Sequence, residues 1–144
     1  MSRQLYNLGV VDNKSLILQF PTFLSDNLLR HFIRGFFDGD GGVYHYERLS
    51  KMSTNTTSTL EFLTAIRDIM ASFGCKSNIT HPRRYLDHNT YILLTCGNVS
   101  SLKYLSWMYE NCEIKMLRKY NVYLFAKEKY GTNRNLINPN EVYE

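Results

Sequence analysis

The sequence predicts one α+β domain: a four-stranded antiparallel sheet with helices covering one face. Two observations predict it. Stretches with a helical apolar period alternate with paired stretches of period two, in the order helix, hairpin, helix, hairpin, helix, helix. The 144 residues are 44% hydrophobic and 21% charged. That is the length of one ordinary domain with its own core, and the apolar fraction argues against disorder. No charged linker interrupts the chain, so residues 1–24 are expected to be a lead-in, 25–131 the core and 132–144 a polar tail.

Each element has its own warrant. Residues 15–20 read as a short strand that Pro21 breaks. Ser25 or Asp26 can cap a helix reaching Asp38. Leu28, Phe32, Gly35 and Gly39 share a narrow face of it, while Leu29, Ile33, Phe36 and Phe37 occupy much of the rest, so the helix is expected to be buried between two partners. Glycine inside a helix costs about 1 kcal/mol relative to alanine, so this pair implies a close approach of another backbone or a helix end. Residues 42–50 alternate, with Tyr44, Tyr46 and Arg48 on one side, and residues 51–58 read as a turn and a short return strand whose period is faint. Ser58 or Thr59 starts a helix to Ser72, with Phe62, Ala65, Ile66, Ile69 and Phe73 as its buried stripe and Gly74 as its stop. Residues 75–80 form a strand presenting Lys76, Asn78 and Thr80 together. A loop over 81–88 and a strand over 90–96 follow. Ser100 or Ser101 can cap a helix to Glu110, and a last helix runs from near Glu113 to near Gly131.

Charge and cysteine usage narrow the function classes. The net charge is +4, from 17 lysines and arginines against 13 aspartates and glutamates. This mild excess permits nucleic-acid binding without requiring it. Aromatic content is 14%, with 11 tyrosines, whose hydroxyls can meet a base edge or a phosphate. The three cysteines, Cys75, Cys96 and Cys112, match no zinc spacing and read as free thiols of a reducing compartment. No apolar run is long enough to span a membrane, and no signal-peptide core follows Met1. The histidines have no zinc spacing either, and His31 is expected to pack or hydrogen-bond along its helix.

The densest polar feature is Asp38-Gly39-Asp40-Gly41-Gly42, where the first long helix ends. Carboxylates at a core edge need exposure or neutralisation. Asp40 can hold a divalent cation, and the Gly39 carbonyl can add an oxygen. Magnesium needs few protein ligands because it keeps several waters. Two copies meeting across the glycine face would bring two Asp40 carboxylates around one centre, where a pair of metals could clamp the attacking water and the leaving oxygen of a phosphodiester. The plainer reading is a glycine-rich turn.

The stretch Ile33-Arg34-Gly35-Phe36-Phe37-Asp38-Gly39-Asp40-Gly41 resembles the signature helix of the LAGLIDADG homing endonucleases. Lys115-Met116-Leu117-Arg118-Lys119-Tyr120-Asn121-Val122-Tyr123-Leu124 is similar to the Arg-Lys-Tyr helix near the end of that family's domain. The lead-in from Leu8-Gly9 through Asn13-Lys14-Ser15 to Phe20-Pro21 resembles the segments preceding the motif. The resemblance covers roughly residues 5–130 and implies an αββαββα core. Arg34 stands where the motif has alanine; it lies away from the glycine face, so it can be tolerated in a dimer or bind a nearby carboxylate.

The resemblance implies a magnesium-dependent endonuclease that cuts double-stranded DNA at a long, nearly palindromic site and leaves four-base 3′ overhangs. It implies Asp40 as the metal ligand beside the scissile phosphate, with Asp38 supporting the helix end. With one motif, the chain would need a homodimer through the motif helices, or a separately encoded LAGLIDADG half. A basic residue near the phosphate is implied as well, Lys119 first and Arg118 second, for charge stabilisation or ordering of the attacking water. The sheet face would lie in the major groove and offer Tyr44, Tyr46, Arg48, Lys51, Asn55 and Thr57 on the first hairpin. The second hairpin would offer Lys76, Asn78, Thr80, Arg83, Arg84 and Tyr85. The alternatives are a catalytically inactive DNA- or RNA-binding protein on the same scaffold, such as an intron maturase or a regulator, and a plain structural domain.

Overall fold

The structure, a computed structural model, describes residues 3–7, 17–86 and 88–131. A single turn, α1 (Arg3–Asn7), is followed by α2 (Asp26–Asp40), β1 (Gly41–Tyr46), β2 (Lys51–Ser58), α3 (Leu60–Ser72), β3 (Ser77–Thr80), β4 (Tyr91–Cys96), α4 (Asn98–Tyr109) and α5 (Leu117–Tyr130). The four strands lie in the order β1-β2-β4-β3, each antiparallel to its neighbour. The order of helices and hairpins, and the αββαββα core, are those expected.

Register explains the two faces. Met52, Thr54, Thr56 and Ser58 of β2 are buried. They sit opposite His45, Val43 and Gly41 of β1, and Thr95, Leu93 and Tyr91 of β4. Helices α2, α3 and α4 pack on this inner face. The core joins Ile33 and Phe37 of α2, Phe62, Leu63, Ile66 and Met70 of α3, Leu93, and Leu102, Leu105 and Met108 of α4. Buried strand threonines need partners. The Thr54 and Thr95 hydroxyls meet at 2.6 Å, and Thr95 reaches Ser101 at 3.0 Å.

Caps fix the helix ends. The Thr59 hydroxyl accepts from the Phe62 amide at 3.3 Å and donates to the Leu18 carbonyl at 2.7 Å, tying the lead-in to α3. At the other end Gly74 takes φ +71°, and the Gly74 and Cys75 amides bond the Ala71 and Met70 carbonyls, a Schellman stop.

Several boundaries differ from expectation. Residues 17–20 form no strand; residues 15 and 16, the motif-like lead-in before residue 17 and the tail over 132–144 lie outside the described residues. Helix α2 extends to Asp40, so Gly39 is inside it. Strand β1 stops at Tyr46 and Glu47–Leu49 makes a helical turn, so Arg48 sits at a hairpin tip and not on a strand. Arg83–Tyr85 makes a similar turn. Helix α4 begins at Asn98, ahead of both proposed serine caps, which are buried inside it. The Asn98 side chain accepts from the Met52 amide and donates to the Ser50 carbonyl, both at 2.9 Å, continuing the pairing of β2 where β4 has ended. Helix α5 begins at Leu117, because Glu113–Met116 is irregular chain.

Candidate active site and nucleic-acid interface

Helix α2 has two unlike sides. Ile33, Arg34 and Phe37 are buried. Gly35 and Gly39 are exposed, and a Cβ added at either would meet nothing within 4 Å. Leu28 is 51% exposed and lies on the same face, whereas Phe32 is half-buried against the Phe20 and Phe62 rings. The stripe therefore is an open helix face with a phenylalanine at its flank, and the helix is buried on one side within a single copy. His31 is exposed on this helix; partial desolvation first, then the Arg34 and Arg30 charges, lowers its pKa.

The C-terminal end of α2 is held from three directions. Lys119 is 2% exposed, and its ammonium donates to the Phe37 carbonyl at 2.5 Å and the Asp38 carbonyl at 2.8 Å. A cation at a helix C-terminus meets the negative end of the dipole and carbonyls of the last turn, here that of Asp38 and that of Phe37, which also accepts from the Gly41 amide. Burial lowers the Lys119 pKa and Arg118 adds to this, against the opposing pull of Asp38 and Asp40. The Asp38 carboxylate accepts from the Tyr109 hydroxyl through one oxygen. Its other oxygen accepts from the Met116 amide at 3.0 Å, at the residue that caps α5. Burial, then the hydrogen bond to Asp38, raises the Tyr109 pKa, so its hydroxyl stays a donor. Arg34 is 7% exposed and donates to the Met108 carbonyl at 3.2 Å, in the last turn of α4. Of the two roles open to it in the sequence, binding a carboxylate is not the one seen: its guanidinium ends on a helix carbonyl.

Asp40 is the exposed carboxylate of this junction, and Gly41 after it begins β1. Arg118 is exposed one residue before Lys119. Among the described residues, no group of three or more His, Cys, Asp or Glu side chains could hold a metal ion. Cys75 and Cys112 are buried free thiols, and burial pushes Cys75 up to about 12, so it offers no ready thiolate.

The outer sheet face carries the other candidates. Tyr44, Tyr46, Lys51, Thr57, Lys76, Asn78 and Thr80 are exposed, and Asn55 is half-exposed. The strand members of this set alternate with the buried residues, which places them on one face. The Tyr44 and Tyr46 rings stack at 6.5 Å. Arg48 is exposed in the first hairpin turn, and Arg83 and Arg84 in the second; the Tyr85 side chain lies outside the described residues. The antiparallel register puts those turns at opposite ends of the sheet. Sequence reasoning missed Ile92 and Leu94, which lie on this face between β2 and β3. Residues 91–96, Tyr-Ile-Leu-Leu-Thr-Cys, are apolar almost throughout, so no alternation in the sequence told which of them faced outward.

Residues 27–107, more than half of the chain, match the family described as LAGLIDADG-like domain. The chain belongs to that family. Its fold is that of homing endonucleases. It is similar to an archaeal intron-encoded homing endonuclease, I-Vdi141I, solved in complex with DNA, with a TM-score of 0.50 and 15% identity over 72% of this chain and 67% of that one. The homing endonuclease I-CvuI, solved with the I-CreI target, aligns with a TM-score of 0.49 and 17% identity over 71% of this chain and 68% of that one. No curated protein sequence matches significantly. The LAGLIDADG-like stretch contains α2, both hairpins and α3, and ends inside α4, so the Lys119 helix lies beyond it.

Proposed function

We propose that the chain is a site-specific double-strand DNA endonuclease that acts as a homodimer and hydrolyses phosphodiesters with water. The observation that carries this reading is the open glycine face of α2, which runs directly to the exposed carboxylate of Asp40. Two such faces in contact would bring two Asp40 side chains to one axis, beside the sheet faces that begin at Gly41. The solved relative I-Vdi141I is a DNA complex, which agrees with a DNA partner.

The donor set suits magnesium, which accepts a few carboxylate and carbonyl oxygens and retains waters. The Asp40 carboxylates of two copies and the Gly39 carbonyl would hold it, and it would supply Lewis-acid charge at the scissile phosphate. The chain's own residues do the rest. Lys119 and Asp38 fix the end of α2 and so the direction of Asp40. Arg118 is the exposed cation available to a phosphate oxygen. Lys51, Lys76, Arg48, Arg83 and Arg84 meet the phosphate backbone, while Asn55, Asn78 and the tyrosines meet base edges.

A second reading is favoured by the burial of Lys119, whose ammonium is committed to two backbone carbonyls. On that reading the scaffold binds DNA or RNA without cutting, as a maturase or regulator would. One experiment tests both. A plasmid pool carrying randomised inserts is incubated with the full chain and magnesium, and linearised molecules are sequenced. The endonuclease reading expects a recurrent site cut by the wild type and left intact by Asp40→Asn. Normal cutting by Asp40→Asn sinks the role given to that carboxylate, and binding without cutting by the wild type selects the second reading.

A further inference from the structure

The outer face of the sheet has an internal pattern. Asn55 of β2, Leu94 of β4 and Asn78 of β3 lie in one cross-strand row. Thr57, Ile92 and Thr80 form the next. Each row places an aliphatic side chain between two identical polar ones. Leu94 and Ile92 are half-exposed, and neither belongs to the core or packs against it. A hollow of about 270 Å³, lined by Lys76, Ser77, Asn78 and Leu94, opens beside them. Gly42 faces Asn55 in the register, and a Cβ there would stand 2.5 Å from the Asn55 Oδ1 and 2.8 Å from the Tyr44 ring. Only glycine leaves that amide and that ring their places.

The charges of the face lie at its margins. Lys51 and Lys76 lie beyond the rows at one end, where Arg48 occupies the turn, and Arg83 and Arg84 occupy the turn at the other end. None of the outward strand residues is acidic. A neutral centre of amides, hydroxyls and branched alkyl groups, edged by cations, complements a duplex whose phosphates pass at the sides and whose bases meet the middle. In the major groove, asparagine matches adenine through N6 and N7, and alkyl groups match only the thymine methyl. Guanine and cytosine present no methyl to Ile92 or Leu94.

We infer that the centre of the sheet reads an A·T-rich block, with Asn55 and Asn78 on adenines and Ile92 and Leu94 on the thymine methyls between them. This rests on the DNA-binding reading above and names the base composition that reading leaves open. It assigns Ile92 and Leu94 as specificity residues.

The test begins with affinity selection of the full chain from a random duplex pool without magnesium. Selected sites should share an A·T block. Thymines of that block are then replaced singly by uracil, which removes the methyl and keeps every hydrogen-bonding group. Each replacement at a contacted position should weaken binding about fourfold, the transfer cost of one methyl. In Leu94→Ala and Ile92→Ala the same replacement should have no effect at the corresponding position. Tight selected sites with no A·T block, or with no response to uracil, overturn the inference and leave DNA binding intact. Failure of the folded chain to enrich any duplex overturns both. A changed sedimentation mass in Leu94→Ser or Ile92→Ser with unchanged duplex affinity assigns the band to a protein contact and also overturns the inference.

Discussion

Replacing Lys119 with methionine should loosen the end of α2 while keeping its volume filled. The ammonium makes two charge-assisted bonds, at 2.5 and 2.8 Å, from a site only 2% exposed. Bonds to a charged group contribute about 1.5–3 kcal/mol each. Part of that is offset in the wild type by the cost of burying the charge. The Phe37 carbonyl also accepts from the Gly41 amide, so the substitution orphans the Asp38 carbonyl alone. The net loss expected is about 2–3 kcal/mol, or a fall in melting temperature of about 10 °C. Urea unfolding followed by far-UV circular dichroism measures it. A Lys119→Met protein within about 0.5 kcal/mol of wild type would refute the reasoning, since surface lysines change stability by no more than that. Unchanged melting with lost cleavage would move the lysine's role from the helix end to the phosphate.

The two aspartates of the motif should separate cleanly. Asp38→Asn puts an amide donor or a weaker acceptor against the Met116 amide and the Tyr109 hydroxyl, and should cost about 2 kcal/mol in urea unfolding. Asp40→Asn should stay within about 0.5 kcal/mol of wild type, because surface changes rarely exceed that. Arg34→Met should cost about 1–2 kcal/mol in the same assay, through the lost bond to the Met108 carbonyl. Gly35→Ala and Gly39→Ala meet open space, so each should stabilise the single copy by up to about 1 kcal/mol of helix propensity and raise its melting temperature, while lowering the dimer fraction in sedimentation equilibrium. Glu110 bonds Lys127 at 2.8 Å and Tyr123 at 2.8 Å. Burial would raise the Glu110 pKa, but those bonds outweigh it and hold it below 4.5. Its stabilisation is therefore present above that value and lost as pH falls through the folded pKa. Lys127, raised above 10.5 first by its bond to Glu110, loses its share as pH rises through its own folded pKa. Thermal melts across pH should show both limbs flattened in Glu110→Gln.

The elements were legible because each buries one face, and burial imposes a period. The alternation of Val43 and His45 with Tyr44 and Tyr46 is a local signal of a sheet with one dry side, whereas the period of residues 51–58 is faint in the sequence. What escaped was set by distant partners. The irregular chain before α5 reads as helix until Asp38, 78 residues away, takes the Met116 amide. Asn98 starts a helix early because its side chain pairs with β2. Arg34 and Lys119 look like solvated helix charges, and no local pattern announces that each ends in the carbonyls of another helix. Asp40 stood out as part of a glycine-rich acidic run and Asp38 was expected to support the helix end, but its partners, Tyr109 and Met116, required the fold.

Helix α2 ends with Asp38 and Asp40 at its negative pole, against one buried ammonium. Two copies docked along the glycine face would set two such poles side by side. Like charges that close repel more strongly as water is excluded. Association would then be opposed by the same carboxylates that favour a divalent cation, and the cation would relieve the opposition. Linkage makes the relation mutual: whatever tightens the pair by screening the poles is itself held more tightly by the pair. The dimerisation constant of this chain should accordingly rise with divalent cation concentration, and that dependence should flatten in Asp40→Asn.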